Sequence, residues 1–121
     1  MMDKIIKKIY RATIDSIAGL KAAFRFQLAF RLEVLFLCLG IILAPLLGKS
    51  LAQKFILISC LVLIIIIELI NSAIETVVNR ISLEHHELSG RAKDLGSAAV
   101  FVAVLNAIVI WGISMLMWLS S

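Results

Sequence analysis

The chain alternates long apolar runs with short polar segments, and the runs are long enough to cross a lipid bilayer. They cover about residues 28–47, 53–79 and 98–119. A membrane-spanning helix needs about 20 predominantly apolar residues, so each run predicts one transmembrane helix. Pro45 and Gly48 mark the end of the first run, and the short link after them predicts an antiparallel return of the chain.

A helical period precedes the first run, over about residues 4–26. Apolar positions recur there at steps of three and four, and basic residues occupy much of the remaining circumference. The apolar positions are Ile6, Ile9, Tyr10, Thr13, Ile17, Leu20 and Phe24. This pattern is typical of an amphipathic helix on a membrane surface. Packing of the same helix against another subunit is a compatible alternative.

Composition supports a membrane protein. Hydrophobic residues make up 62% of the 121 positions and the mean hydropathy is +1.07. A chain this short cannot bury so much apolar surface within itself, because small domains bury only about 60% of the surface that they expose when unfolded. We therefore predict one all-α integral membrane domain over residues 1–121, with a surface helix and three spans. Cys38 and Cys60 lie within apolar runs and are interpreted as core residues.

The distribution of charge predicts the orientation in the membrane. Of the twelve Lys and Arg residues, ten lie either before residue 32 or in the segment 80–94. Because basic residues favour the cytoplasmic side, we expect the N-terminus and this segment in the cytoplasm and the C-terminus outside. The net charge of +4 does not indicate nucleic-acid binding, since basic and aromatic residues are not interleaved. We expect no cleaved signal peptide.

Polar residues lie on one face of the second predicted span. They are Glu68, Asn71, Ser72, Glu75 and Asn79, at helical spacing. An ionisable side chain at the bilayer centre costs about 2.5–3.5 kcal/mol, so such residues often mark a reaction path. Hydrogen bonding between helices is the alternative, and it suits the amide and the hydroxyl better than two carboxylates. The deeper carboxylate lies about 10 Å from the shallower one along the helix.

The segment "NRISLEHHELSGRAKDLGS" after this span is interpreted as a polar loop, with the third span beginning at about Ala98. Its adjacent histidines do not have the spacing of a zinc site. Lys93 and Asp94 combine a cation for phosphate with a carboxylate, which suits an anionic, metal-bound substrate. A solvated charged loop explains the same residues equally well.

Two blocks, "ELINSAIETVVNRI" and "EHHELSGRAKDLGSAAV", resemble the prokaryotic diacylglycerol kinases, and "LKAAF" and "AFRLE" match the same family. The resemblance implies a homotrimer of three-span protomers in the bacterial inner membrane, with active sites between protomers at the cytosolic interface. It implies transfer of phosphate from ATP to a lipid alcohol, diacylglycerol, with Mg²⁺. Undecaprenol kinases share the fold and the core motif, so undecaprenol is the alternative substrate.

The resemblance also implies roles for individual residues. Glu68 is the catalytic base with Asn71 beside it, and Glu75 and Gln27 hold the metal. The nucleotide is bound by those two and by Lys8, Glu84, His85, His86, Lys93 and Asp94. The lipid contacts Lys21, Phe24, Arg31, Glu33, Glu68 and Ser97. The chain departs from the family pattern at Gln27, where a glutamate is usual, and at Lys8, Asp15 and Asn79.

Two other classes of function compete with a lipid kinase. The departures at Gln27 and Asn79 are compatible with a membrane oligomer that binds lipid or nucleotide without turnover. Intramembrane acids could instead line the pore of a channel, although a pore does not need the adjacent Lys93 and Asp94. We also expect three short spans to be too few to shield their acids within one chain, which predicts an obligate oligomer.

Overall fold

The computed structural model describes residues 1–121 as four helices joined by short connections. The helices are α1 (Met2–Phe26), α2 (Leu28–Leu47), α3 (Leu51–Ile81) and α4 (Glu87–Leu119). By length and composition, α2, α3 and α4 can each cross a membrane. The all-helical prediction with three apolar spans is therefore confirmed. Only 17 of the 121 residues are buried, so a single chain leaves most of its apolar surface to be covered from outside.

A single residue separates α1 from α2. The backbone of Gln27 is extended (φ −116°, ψ 107°), and its N–H donates to the carbonyl of Ala23 at 2.9 Å. Gln27 thereby ends the first helix and precedes the second, which turns the chain at this point. Along α1 only Ala23 is buried, and its larger apolar side chains, among them Ile17 and Phe24, are exposed. The apolar stripe of α1 is therefore uncovered in the isolated chain.

The turn between α2 and α3 is tight and is tied to α4. Ser50 caps α3 by accepting a hydrogen bond from the backbone N–H of Gln53 at 3.1 Å. The side-chain oxygen of Gln53 accepts from the N–H of Lys49 at 2.9 Å, and its nitrogen donates to Ser114 at 3.4 Å. One glutamine thus connects the turn to the far end of α4 and keeps the three long helices in register.

The core lies where α3 packs between α2 and α4. Cys60 and Ile64 of α3 contact Ala103 and Ala107 of α4, and these alanines let the two backbones approach closely. On the other side, Ala44 and Leu47 of α2 pack on the fully buried Leu57 of α3.

Trp111 links α4 to α3 beside this core. The ring N–H of Trp111 donates to the carbonyl of Leu57 at 3.0 Å, so this indole binds the neighbouring helix. Cys38 is exposed, and its interpretation as a core residue is wrong. Because α3 packs on α4 on one side and on α2 on the other, it lies at the centre of a three-helix layer.

The loop predicted to extend to residue 97 is wrong, because α4 already begins at Glu87. His86 caps this helix, accepting a hydrogen bond from the N–H of Leu88 through Nδ1 at 3.1 Å. The segment is polar but contains no proline, and a polar helix is stable once it extends a packed one. At 33 residues α4 is about 50 Å long, which exceeds the roughly 30 Å hydrocarbon core. Its polar beginning therefore projects beyond that core.

Candidate functional site

Most of the polar face of α3 lies inward, towards α2 and α4, whereas Asn79 at its end is exposed. Glu68, Asn71 and Ser72 are 5%, 6% and 8% exposed, and Glu75 is half-buried one turn further along. The expectation that one chain cannot shield its acids is wrong for Glu68, because the three long helices already enclose it. The two carboxylates nevertheless differ in environment, since the deep one is enclosed and the shallow one is partly open.

Each carboxylate of this face has a neutral hydrogen-bond donor one helical turn away. Ser72 Oγ donates to Glu68 Oε1 at 3.4 Å, and Asn71 Nδ2 donates to Glu75 Oε1 at 3.5 Å. Asn71 was expected beside Glu68, but its amide contacts the shallower acid. The deep acid is instead contacted by Ser72, for which the sequence interpretation had only a structural role. The signal was present as a four-residue spacing between Glu68 and Ser72.

A third carboxylate reaches the site from α2. Glu33 lies close enough to Glu68 for their charges to interact, and its Oε2 is buried without a hydrogen-bond partner. It also lines a groove of about 640 Å³ between α2, α3 and α4, whose other lining side chains are almost all hydrophobic. Phe36, Leu61 and Trp111 are among them. The row Glu33, Glu68 and Glu75 thus begins at an apolar groove and ends at the partly open part of α3.

The first turns of α4 are held against this site by a glycine. A Cβ atom on the buried Gly96 would overlap Oδ1 and approach Cγ of Asn71. That oxygen is itself buried and has no hydrogen-bond partner. The close approach of α4 to Asn71 therefore depends on the missing side chain at position 96.

Replacing Gly96 by alanine is expected to lower the melting temperature of the purified protein by several degrees, because α4 or the Asn71 amide must shift. Gly90→Ala is the matched control, since this glycine of the same helix has nothing within 4 Å of its Cβ position. In a helix, alanine is favoured over glycine by about 0.5–1 kcal/mol, so the control is expected to melt at the same or a higher temperature. Equal melting temperatures for the two variants would contradict the steric explanation.

Several other residues expected at the site lie around the beginning of α4. Lys93 is half-buried and Asp94 and Ser97 are exposed, all within one turn of Gly96. Glu84, His85 and His86 are exposed in the non-helical connection that precedes α4. The contact between Gly96 and Asn71 brings the turn with Lys93 and Asp94 to the side of α3 that carries Glu75. The single chain therefore places a cation, a carboxylate and an amide near one end of its acidic row.

The residues expected from α1 and α2 are only partly brought to this site. Gln27 is half-buried and lines a cavity of about 210 Å³ with Ser72 and Thr76 of α3. Lys21, Phe24 and Arg31 are exposed near the same end of the bundle. Lys8 is 19 residues before Gln27, or about 28 Å along the continuous helix α1. Within one chain, Lys8 and Gln27 cannot contact the same ligand atom.

The oxygen atoms of Glu75 and Gln27 suit a metal ion that prefers oxygen ligands and takes its remaining ligands from water or substrate. No group of three or more His, Cys, Asp and Glu side chains is arranged to hold a metal. Glu75 offers a carboxylate and Gln27 an amide oxygen, both half-buried. Mg²⁺ is commonly held by one or two protein oxygens together with water and substrate phosphates. The donor atoms of these two residues fit a magnesium ion that arrives with a phosphorylated ligand, although Glu75 does not line the cavity that contains Gln27.

Comparison with known proteins identifies the family. The family model of prokaryotic diacylglycerol kinase matches residues 15–115. A diacylglycerol kinase of Pseudomonas aeruginosa is 48% identical over 106 residues, covering 88% of this chain and 86% of the relative. The corresponding protein of Haemophilus influenzae is 46% identical over 104 residues, covering 86% and 88%. That of Escherichia coli strain K12 is 45% identical over 111 residues, covering 92% and 89%. This chain is a member of the prokaryotic diacylglycerol kinase family.

Proposed function

We propose that the protein transfers the γ-phosphoryl group of ATP to the hydroxyl of diacylglycerol, giving phosphatidate at the boundary between membrane and cytosol. The observation that carries this proposal is the row formed by the half-buried Glu33, the buried Glu68 and the half-buried Glu75, which connects an apolar groove with a polar helix end. A lipid alcohol approaches from hydrocarbon and a nucleotide from water. A site that joins them needs polar groups at both depths, and this row provides them.

In the proposed reaction, Glu68 removes the proton from the lipid hydroxyl as its oxygen attacks the γ-phosphorus of ATP. The bond between that phosphorus and the β–γ bridging oxygen breaks, and ADP leaves with the electron pair. Phosphoryl transfer depends mainly on positioning and charge neutralisation. The buried oxygen Oε2 of Glu33 lacks a protein partner, and in the protonated carboxyl group it can donate a hydrogen bond to an ester carbonyl of the lipid.

The nucleotide is bound in this proposal at the beginning of α4. Lys93 contributes a positive charge to the phosphates, and the exposed Glu84, His85, His86 and Asp94 contact the rest of the nucleotide. Glu75 and Gln27 hold Mg²⁺, which when bound lowers the negative charge of the phosphates. Asn71 orients Glu75 through the hydrogen bond between its amide and Oε1. Lys8 then belongs to the site of a neighbouring protomer.

We further propose a homotrimer whose surface helix α1 lies on the bacterial inner membrane. Support comes from the exposed apolar stripe of α1, opposite its basic residues, and from the small number of residues buried in one chain. The distance between Lys8 and Gln27 within one chain also favours sites shared between protomers. Lys21, Phe24 and Arg31 of α1 and α2 then flank the lipid headgroup, with Ser97 on the facing side.

The orientation is testable with a reporter fused after Ser121. The basic residues concentrate in α1, at the end of α3 and at the beginning of α4, which are predicted to face the cytoplasm. The fusion at the opposite end of α4 is therefore expected to score as extracytoplasmic. Alkaline phosphatase activity in whole cells gives the measurement, and a fusion after Gly48 on the same predicted side is the control. A cytoplasmic score for the fusion after Ser121 would place the beginning of α4 on the side without ATP.

Gln27→Glu is expected to lower the Mg²⁺ concentration at half-maximal turnover. A carboxylate near 4 Å from the ion gains about 4 kcal/mol at an effective dielectric of 20, before the cost of its desolvation. The measurement is a Mg²⁺ titration at saturating lipid and ATP. If Gln27 only solvates the junction between α1 and α2, the midpoint stays unchanged, and Glu75 is then the protein's single ligand.

The experiment that tests the lipid is a side-by-side assay of the detergent-purified protein with diacylglycerol and with undecaprenol. We expect a higher kcat/KM for diacylglycerol at equal mole fraction in the micelle. A higher kcat/KM for undecaprenol would support phosphoryl transfer to a lipid alcohol but would identify undecaprenol as the preferred substrate. Binding of both lipids without ATP-dependent turnover would instead support the non-catalytic alternative.

A further inference from the structure

Ser72 differs from three other hydroxyl residues in the helices of this chain. Thr13, Ser16 and Thr76 each donate to the backbone carbonyl four residues earlier, at 2.7–2.9 Å. This is the usual bond of a hydroxyl inside a helix. Ser72 donates instead to a side chain, Oε1 of Glu68, although the same backbone alternative exists one turn before it. Its hydroxyl is therefore directed at the deepest acid of α3.

The pair is almost completely enclosed. Glu68 is 5% and Ser72 8% exposed, so little water competes for the carboxylate. Hydrogen bonds to a charged acceptor are stronger than neutral ones, and low polarity of the surroundings strengthens them further. Oε1 is engaged by the serine, which leaves Oε2 as the oxygen to receive a proton. A carboxylate whose Oε1 is held by a hydrogen bond presents its Oε2 in one fixed direction.

The arrangement divides the α3 motif into two hydrogen-bonded pairs. Counting along "ELINSAIE", Ser72 follows Glu68 by four residues and Asn71 precedes Glu75 by four. The amide is also held against Gly96, so it cannot turn freely towards the deep acid. Loss of the serine hydroxyl therefore leaves Glu68 without a donor from its own chain.

We propose that Ser72 is a positioning residue that orients the Glu68 carboxylate for proton removal from the lipid hydroxyl, which rests on the proposed kinase function. Its hydroxyl is bonded to Glu68, although Ser72 also lines the cavity that contains Gln27. We therefore expect Ser72 to affect the chemical step more than nucleotide binding.

The test compares the kinetics of Ser72→Ala, Ser72→Thr and Ser114→Ala. Ser72→Ala is expected to lower kcat by about 10- to 100-fold, since a small misplacement of a reacting group can cost about 10²-fold. Its KM for MgATP is expected to stay within about twofold, because the lost contact acts on chemistry. Ser72→Thr restores the hydroxyl and is expected to recover most of the turnover. Ser114 is the matched control, a buried serine with a 3.4 Å side-chain hydrogen bond at the other end of α4.

Several results would overturn the role of Ser72. They are wild-type kcat in Ser72→Ala, an equal loss in Ser114→Ala, or a folded Ser72→Thr protein as slow as the alanine variant. A raised KM for MgATP at unchanged kcat would also contradict it. Melting temperature and elution volume establish that each variant is folded.

A second measurement does not need turnover. Dicyclohexylcarbodiimide modifies carboxyl groups in apolar surroundings, and mass spectrometry of the α3 peptide gives the rate at Glu68. We expect faster labelling in Ser72→Ala, because the carboxyl group is no longer engaged. An unchanged rate overturns the pairing even if the wild-type protein has no kinase activity. That absence of activity would by itself contradict the proposed function, so the two failures are distinguishable.

Discussion

Replacing Glu68 by glutamine is expected to lower turnover by about 10²–10⁴-fold, the usual contribution of a general base. The amide keeps the size of the side chain and can still accept a hydrogen bond from Ser72, so the enclosure by α2 and α4 stays intact. It cannot take the proton of a lipid hydroxyl. The measurement is the initial rate of lipid phosphorylation with both substrates saturating.

The control for this loss is Glu33→Gln, which removes a charge beside Glu68 but leaves the base. Its effect is expected mainly on the KM for the lipid, because Glu33 lines the apolar groove. Near-normal turnover in Glu68→Gln would exclude Glu68 as the base. Equal losses of kcat in both variants would indicate that the whole acidic row is needed for folding or for charge balance.

Glu75→Gln is expected to raise the Mg²⁺ concentration at half-maximal turnover by at least about 10-fold, because it removes the charge from the only carboxylate among the two proposed ligands. The deep acid and its serine are not touched by this change, so kcat at saturating Mg²⁺ is expected to fall less than in Glu68→Gln. The hydrogen bond from Asn71 survives, since a glutamine oxygen also accepts. A Mg²⁺ titration with each variant separates the two acids.

The double variant Gln27→Glu, Glu75→Gln provides a control for charge. It has the same number of carboxylates as the wild type, but the carboxylate of position 75 in α3 is moved to position 27 at the end of α1. If both side chains hold the ion, the midpoint of the Mg²⁺ titration is expected to return towards the wild-type value. A midpoint as high as in Glu75→Gln alone would mean that Gln27 lies outside the ion's surroundings.

The period and length of the apolar runs were enough to predict the number of helices and most of their bounds. The break between α1 and α2, at Gln27, was visible as a change from an amphipathic to a continuous apolar pattern. The beginning of α4 was not, because polar residues in a helix beyond the membrane resemble a loop in composition. The cap at His86 and the absence of proline after it were the available signals.

The acids of the candidate site could be located from sequence, but their partners could not. Glu68 and Glu75 are conspicuous because charges in an apolar helix are costly. Which donor serves which acid depends on side-chain conformation and on the neighbouring helix, as the contact between Gly96 and Asn71 illustrates. The shielding of Glu68 by three helices depends in the same way on how α2 and α4 pack on α3.

The most direct test of the central claim is the stoichiometry of ATP consumed and lipid phosphate formed by the purified wild-type protein in mixed micelles. The substrate is diacylglycerol with γ-labelled ATP, and both ADP and chloroform-extractable label are counted. The account predicts one phosphatidate for each ATP consumed and no ATP consumption without the lipid. ATP hydrolysis without labelled phosphatidate, or no ATP consumption with the lipid present, would contradict it.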